Sequence, residues 1–136
     1  MKALIHIGFV SNPRRTMNEY ASALEERLVD FAVRILNVVD SLPKSETGKH
    51  IANQILRSGT APAAHYGEAQ SAESKKDFSH KLKLAAKELR ETNVWLKIIQ
   101  RKPLCAETRL IPLLKESDEL IAIFSKSIKT TDSHPA

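Results

Sequence analysis

A row of cations recurs at helical spacing in this chain. Lys76, His80, Lys83, Lys87, Arg90, Val94, Lys97 and Arg101 follow one another in steps of four and three, and every member except Val94 is basic. Lys75 and Lys102 stand at its two ends. A stripe of this kind offers charge-assisted contacts to phosphates or to an acidic protein surface. The same stripe on an isolated helix is an ordinary solvated face. Residues 75–102 hold nine Lys and Arg against Asp77, Glu88 and Glu91, a net +6, whereas the chain as a whole is +5. The remaining residues therefore sum to −1, so the positive excess is concentrated in this one segment.

Other residues that could do chemistry are fewer. Arg57 and Glu68 lie eleven apart, on nearly one face of a helix but roughly 16 Å apart along it, so they cannot pair with each other. Partners for them are expected on the basic helix: Glu88 or Glu91 for Arg57, and Lys87 or Arg90 for Glu68. Arg57, Glu68, Glu88 and Glu91 then read as a structural polar network, inside the bundle or at a subunit contact. A carboxylate site for acid–base or metal work is the other reading. A di-metal bundle needs Glu-x-x-His on two helices, and here His65 precedes Glu68 in the reverse order and occurs once. His50, His65 and His80 show no ligand spacing with one another or with Cys105, and no glycine-rich phosphate loop is present. No catalytic residue, cofactor site or metal site is expected.

The elements that must carry these residues are helices. In 136 residues there are only four Gly, and aromatics make up 5%, which points to one aliphatic, helical domain. Phe78, Leu82, Ala85, Leu89, Thr92, Leu96 and Ile99 form an unbroken seam about 200° from the basic stripe, so this helix is oily on one side and cationic on the other. Leu24, Leu28, Phe31, Ile35, Val38 and Leu42 form a second seam, on a helix expected from Asn18 to Ser41 and stopped by Pro43. A helix over about 48–70 would point Ile51, Ile55 and Leu56 inward and be kinked near Pro62. Ser74 is the expected cap of the basic helix, with Asp77 in its first turn, and Pro103 ends it. A last helix over about 106–129 would bury Leu110, Leu113, Leu114, Ser117, Ile121, Phe124 and Ile128. The expectation is all-α: an antiparallel up-down-up-down four-helix bundle over residues 17–130. Residues 1–16 form an extension that is loosely attached or not native, and 131–136 a loose tail.

Trp95 sits off the seam, on a flank with Leu84 and Ile98 that is too apolar for bare solvent. That flank reads either as a wide core stripe or as a subunit interface. One cysteine, Cys105, rules out an intramolecular disulfide and fits a reducing compartment. The apolar run from Ala3 to Val10 is too short to cross a membrane and lacks a cleavage site after it. The expected location is cytoplasmic, without membrane partners.

QILRS at 54–58, PAAHYGEA at 62–69, SKKDF at 74–78 and KLKLAAKELRETNVWLKII at 81–99 together resemble a bacterial family. These are the four-helix proteins encoded in intervening sequences of 23S ribosomal RNA genes, the S23 family. The accessory variability proteins of diversity-generating retroelements look like their relatives. This sequence departs from the pattern at His65, where Asn is usual, and at Gly59 and Gly67, where Ala is commoner. The resemblance implies a left-handed bundle that assembles as a homopentamer, has a basic surface and no established enzymatic activity, and is thought to bind nucleic acid. The expected function is therefore a non-catalytic homo-oligomer that contacts RNA or DNA backbone, with low sequence specificity, through Lys76, Lys83, Lys87, Arg90, Lys97 and Arg101. The alternative is an adaptor whose basic face docks an acidic protein such as a polymerase.

Overall fold

The computed structural model describes residues 16–134, and the expected extension at 1–15 and the last two residues of the tail lie outside them. Four helices follow in order: α1 Met17–Ser41, α2 Glu46–Gln70, α3 Lys75–Arg101 and α4 Glu107–Ser133. Short connections force chain neighbours to pack antiparallel, which gives the up-down-up-down bundle. The α2–α3 and α3–α4 contacts are the most extensive, and α1–α4 the least. That last edge is fastened by charge. Arg27 reaches Glu116 through two hydrogen bonds, of 3.0 and 2.6 Å, and touches Glu119 at 3.3 Å. Nearby, Arg109 donates to the Asn37 carbonyl at 2.9 Å.

Polar caps set the helix starts. Thr16 caps α1, which starts one residue before the expected Asn18: its hydroxyl accepts the Glu19 amide at 3.2 Å while the Glu19 carboxylate accepts the Thr16 amide at 3.2 Å. This reciprocal pair satisfies two amides that the first turn leaves open. Residue 16 therefore belongs to the bundle. Ser45 and Ser74 each accept one first-turn amide of α2 and α3. Ala106 gives α4 no side-chain cap.

Both seams expected on α1 and α3 are buried along their whole length. On α2 the buried row is Ile51, Ile55, Ser58, Pro62, Tyr66 and Ala69, while Leu56, expected inward, is 39% exposed. Leu56 follows Ile55 by about 100° round the helix and so leaves the core sector. Pro62 lies in the buried row, and α2 runs through it as one continuous helix, although its ring removes one bond from the ladder. On α4 the buried row is Leu110, Leu113, Ser117, Leu120, Phe124, Ser127 and Thr131. Leu114, Ile121 and Ile128 only flank it. Its final turns are built from hydroxyl residues, so α4 continues to Ser133 and residues 131–133 belong to the bundle rather than to a loose tail. Thr131 is 2% exposed, and its hydroxyl donates to the Ser127 carbonyl at 2.8 Å. Deeper in the core, Thr92 donates to the Glu88 carbonyl at 2.8 Å, leaving its oxygen to accept from Ser58 at 2.9 Å.

Gly59 is packed tightly against α1. A methyl group built on Gly59 would stand 2.6 Å from Ile35 Cγ2 and 2.9 Å from Cγ1. Here Ile35 fills the space that alanine would take, whereas the space beside Gly67 is open. Gly59→Ala should destabilise the bundle by about 1–3 kcal/mol through overpacking, and Ile35→Ala should lessen that cost in the double variant; denaturant melts of the four proteins check it. Tyr66 packs edge-to-face on Phe124 with centroids 5.9 Å apart, and its hydroxyl has no hydrogen-bond partner among the described residues. Burial, helped by the Glu25 charge, pushes its phenol far above the usual tyrosine range. The unfolded chain gives up that proton near pH ~10 while the folded chain retains it, so stability should fall as pH rises beyond that point. Urea titrations at neutral and alkaline pH, with Tyr66→Phe reducing the slope, test this.

Candidate nucleic-acid interface

Because the α3 seam is buried between α2 and α4, the stripe 200° away has to face water. Lys76, Lys83, Lys87, Arg90, Lys97 and Arg101 are all exposed, as are His80 and Val94. Among the described residues only Lys83 of the six makes an ion pair, with Asp132 of α4 at 3.0 Å. Arg90 donates to the Ser125 hydroxyl at 3.1 Å. Asp132 also accepts the Ser79 hydroxyl at 2.6 Å. The Ser79 hydrogen bond, then the Lys83 ammonium, hold its carboxyl below the usual aspartate range.

On the other flank of α3, Arg57 from α2 bridges two carboxylates. One guanidinium nitrogen meets Glu88 at 2.6 Å and the other meets Glu91, which also accepts the Trp95 indole N–H at 3.2 Å. Glu88 is 8% exposed, so its charge depends on Arg57 for compensation. Glu68 does not join this cluster. It pairs with His65 at 3.2 Å and with Lys81 at 3.7 Å, instead of with Lys87 or Arg90. Antiparallel packing is the reason: with residue 57 opposite 88–91, moving eleven residues along α2 moves back along α3 to about residue 80. Arg57 and Glu68 are both exposed, so neither is a buried charge. Cys105 is a free, half-buried thiol beside the Ser41 hydroxyl at 3.4 Å. Among the described residues no group of three or more His, Cys, Asp or Glu could hold a metal ion, and no helix is long and apolar enough to cross a membrane.

The model of the 23S rRNA-intervening sequence protein family matches residues 23–126. The chain belongs to that family. It is also similar to a crystal structure from Bacteroides thetaiotaomicron, described as a protein with unknown function from the S23 ribosomal protein family. The two share 32% identity, with a TM-score of 0.74 over 80% of this chain and 97% of the other. No curated protein matches the chain.

In this S23-family bundle the Trp95 flank is divided. Trp95 is half-buried, packed on the core and edge-on to His50 with centroids 6.0 Å apart. Leu84 is half-buried and Ile98 is 40% exposed. A second apolar face escaped the sequence reading. Val29, Val33 and Leu36 are 44%, 49% and 39% exposed, and they step by four and three along the outside of α1. The antiparallel register that sets Gly59 against Ile35 brings exposed Leu56 near the Leu36 end of that row. The signal was present as a second apolar period on α1, one or two residues after Leu28, Phe31 and Ile35 of the core seam. The polar network generates a prediction: Arg57→Ala should cost about 1–3 kcal/mol by stranding Glu88. Combined with Glu88→Gln it should cost less than the sum of the two single changes, as read from denaturant midpoints.

Proposed function

We propose that this S23-family protein is a non-catalytic homo-oligomer, pentameric and cytoplasmic, that binds RNA or DNA backbone through the basic face of α3. One observation carries the reading: six cations in a single exposed row, five of them without an ion-pair partner among the described residues. Unpaired, hydrated cations can exchange water and counterions for phosphate oxygens, which is the main source of sequence-independent affinity. No Phe, Tyr or Trp lies in the row, and contacts to phosphates carry no sequence information, so specificity is low.

Self-assembly is supported by the apolar outer row of α1 and by the Leu84–Trp95–Ile98 flank of α3. Unlike faces meeting head to tail form rings when the rotation closes, and a ring repeats the basic stripe around its axis. The adaptor reading is favoured by Val94, which is 53% exposed within the stripe and gives a docked acidic protein an apolar contact.

Mobility shifts with structured RNA and duplex DNA are expected at low salt and should fade steeply as salt rises, by about 0.7–0.9 in log–log slope per phosphate contacted. Absence of any shift at about 50 mM salt, together with a stable complex with an acidic protein, would favour the adaptor. Light scattering should give a mass several times that of one chain, and Val33→Glu should lower it; a monomeric wild type would exclude the ring.

A further inference from the structure

Two cavities lie end to end along the α3–α4 seam and share Lys83. The first, of about 430 Å³, sits at the bundle end where α3 begins and α4 finishes, with Lys75, Lys76, His80 and Lys83 on its α3 side. The second, of about 440 Å³, continues between Lys83, Lys87 and Arg90, lined by apolar Ala86 and Ile128 and by Ser125 of α4. Lys97 and Arg101 line neither cavity. The basic stripe is therefore two different things along its length. From Lys76 to Arg90, roughly 21 Å of helix, it borders a trough that Lys97 and Arg101 do not line.

We infer that this trough takes a single nucleic-acid strand, laid lengthwise with phosphates on Lys76, Lys83, Lys87 and Arg90, in preference to a duplex. The inference rests on the nucleic-acid reading and narrows it. Packed helices have axes about 8–10 Å apart, and the channel between them has room for one flexible backbone. A duplex, whose major groove alone is about 12 Å wide, can only lie across the rim and reach part of the row. Ala86 and Ile128 offer apolar surface to sugars, and of the lining residues His80 and His134 carry the rings a base can stack on, a contact that tolerates any base.

One residue sets this trough apart from a merely basic surface. Asp132 stands inside it as a resident anion, already holding the Ser79 hydroxyl and the Lys83 ammonium. A phosphate arriving at Lys83 competes with that carboxylate and is repelled by it. Asp132 therefore tempers affinity, and its neutral isostere should tighten binding.

Fluorescence anisotropy on the full chain tests this, using an oligonucleotide of about 20 residues, single-stranded and as its duplex. The single strand should bind about tenfold more tightly, with a log–log salt slope near −3 for four contacts at about 0.7 each. Lys83→Ala/Lys87→Ala should weaken it by about tenfold or more and Lys97→Ala/Arg101→Ala by a clearly smaller factor, and Asp132→Asn should tighten it by about two- to fivefold. Unchanged circular dichroism melts confirm that the variants fold. Equal or tighter duplex binding, equal losses from the two double variants, or weakened binding by Asp132→Asn overturns the inference while leaving backbone binding intact. No binding of either nucleic acid overturns both.

Discussion

The α3 seam is the constraint on which the rest of the molecule depends. Phe78, Leu82, Ala85, Leu89, Thr92, Leu96 and Ile99 are each 0–1% exposed, because α3 is the helix gripped lengthwise on two sides, by α2 and by α4. Burying seven residues in register fixes the rotation of α3 about its own axis, and every other face follows from that rotation. The cationic row turns outward. Glu88 and Glu91 turn toward Arg57, and Ser79 and Asn93 turn toward α4, where Asn93 meets Ser117 at 2.9 Å and Asp118 at 3.0 Å. A slip of one residue would move the whole seam by about 100° and carry lysines into the core, where charge is costly without a partner.

The same dependence explains what could be read from residue order. Where a helix has one wide apolar row, as α1 and α3 do, periodicity locates the core, and the basic stripe follows by geometry. Where the buried row becomes polar, periodicity fails. Thr131 is buried with its hydroxyl donating to the Ser127 carbonyl, and hydropathy reads Ser127 and Thr131 as surface; the end of α4 was lost for that reason. The partners of Glu68 required a different kind of knowledge, the antiparallel register between α2 and α3, which no single-helix pattern contains. The outer apolar row of α1 was overlooked because its seam already accounted for that helix.

Charge is segregated between elements as well as within α3. The acidic excess of α1 and the basic excess of α3 belong to helices that are not direct neighbours in the chain, while α2 and α4 are close to neutral. Folding thus separates unlike charge across the width of the bundle instead of cancelling it locally. The closing edge is different in kind. Arg27 joins α1 to α4 by a partly buried ion pair with Glu116 and an exposed one with Glu119, where the other helix pairs rely more on interdigitated side chains. Partial burial shields such a pair from salt better than an exposed one, so the bundle can keep its shape while its outer cations exchange counterions.

Gly59 against Ile35 has a consequence for how the sequence can drift. The two side chains share one volume, and 32% identity to a structure of nearly the same shape means that much of the sequence has changed without loss of the fold. At this point of the α1–α2 contact the changes cannot come in any order. A lineage that enlarges position 59 first passes through an overpacked intermediate, whereas one that trims position 35 first passes through a small void. Voids and clashes both cost stability, but a small void leaves the helices where they were. Substitutions at 35 and 59 are therefore coupled, and the size of each side chain limits what the other can become.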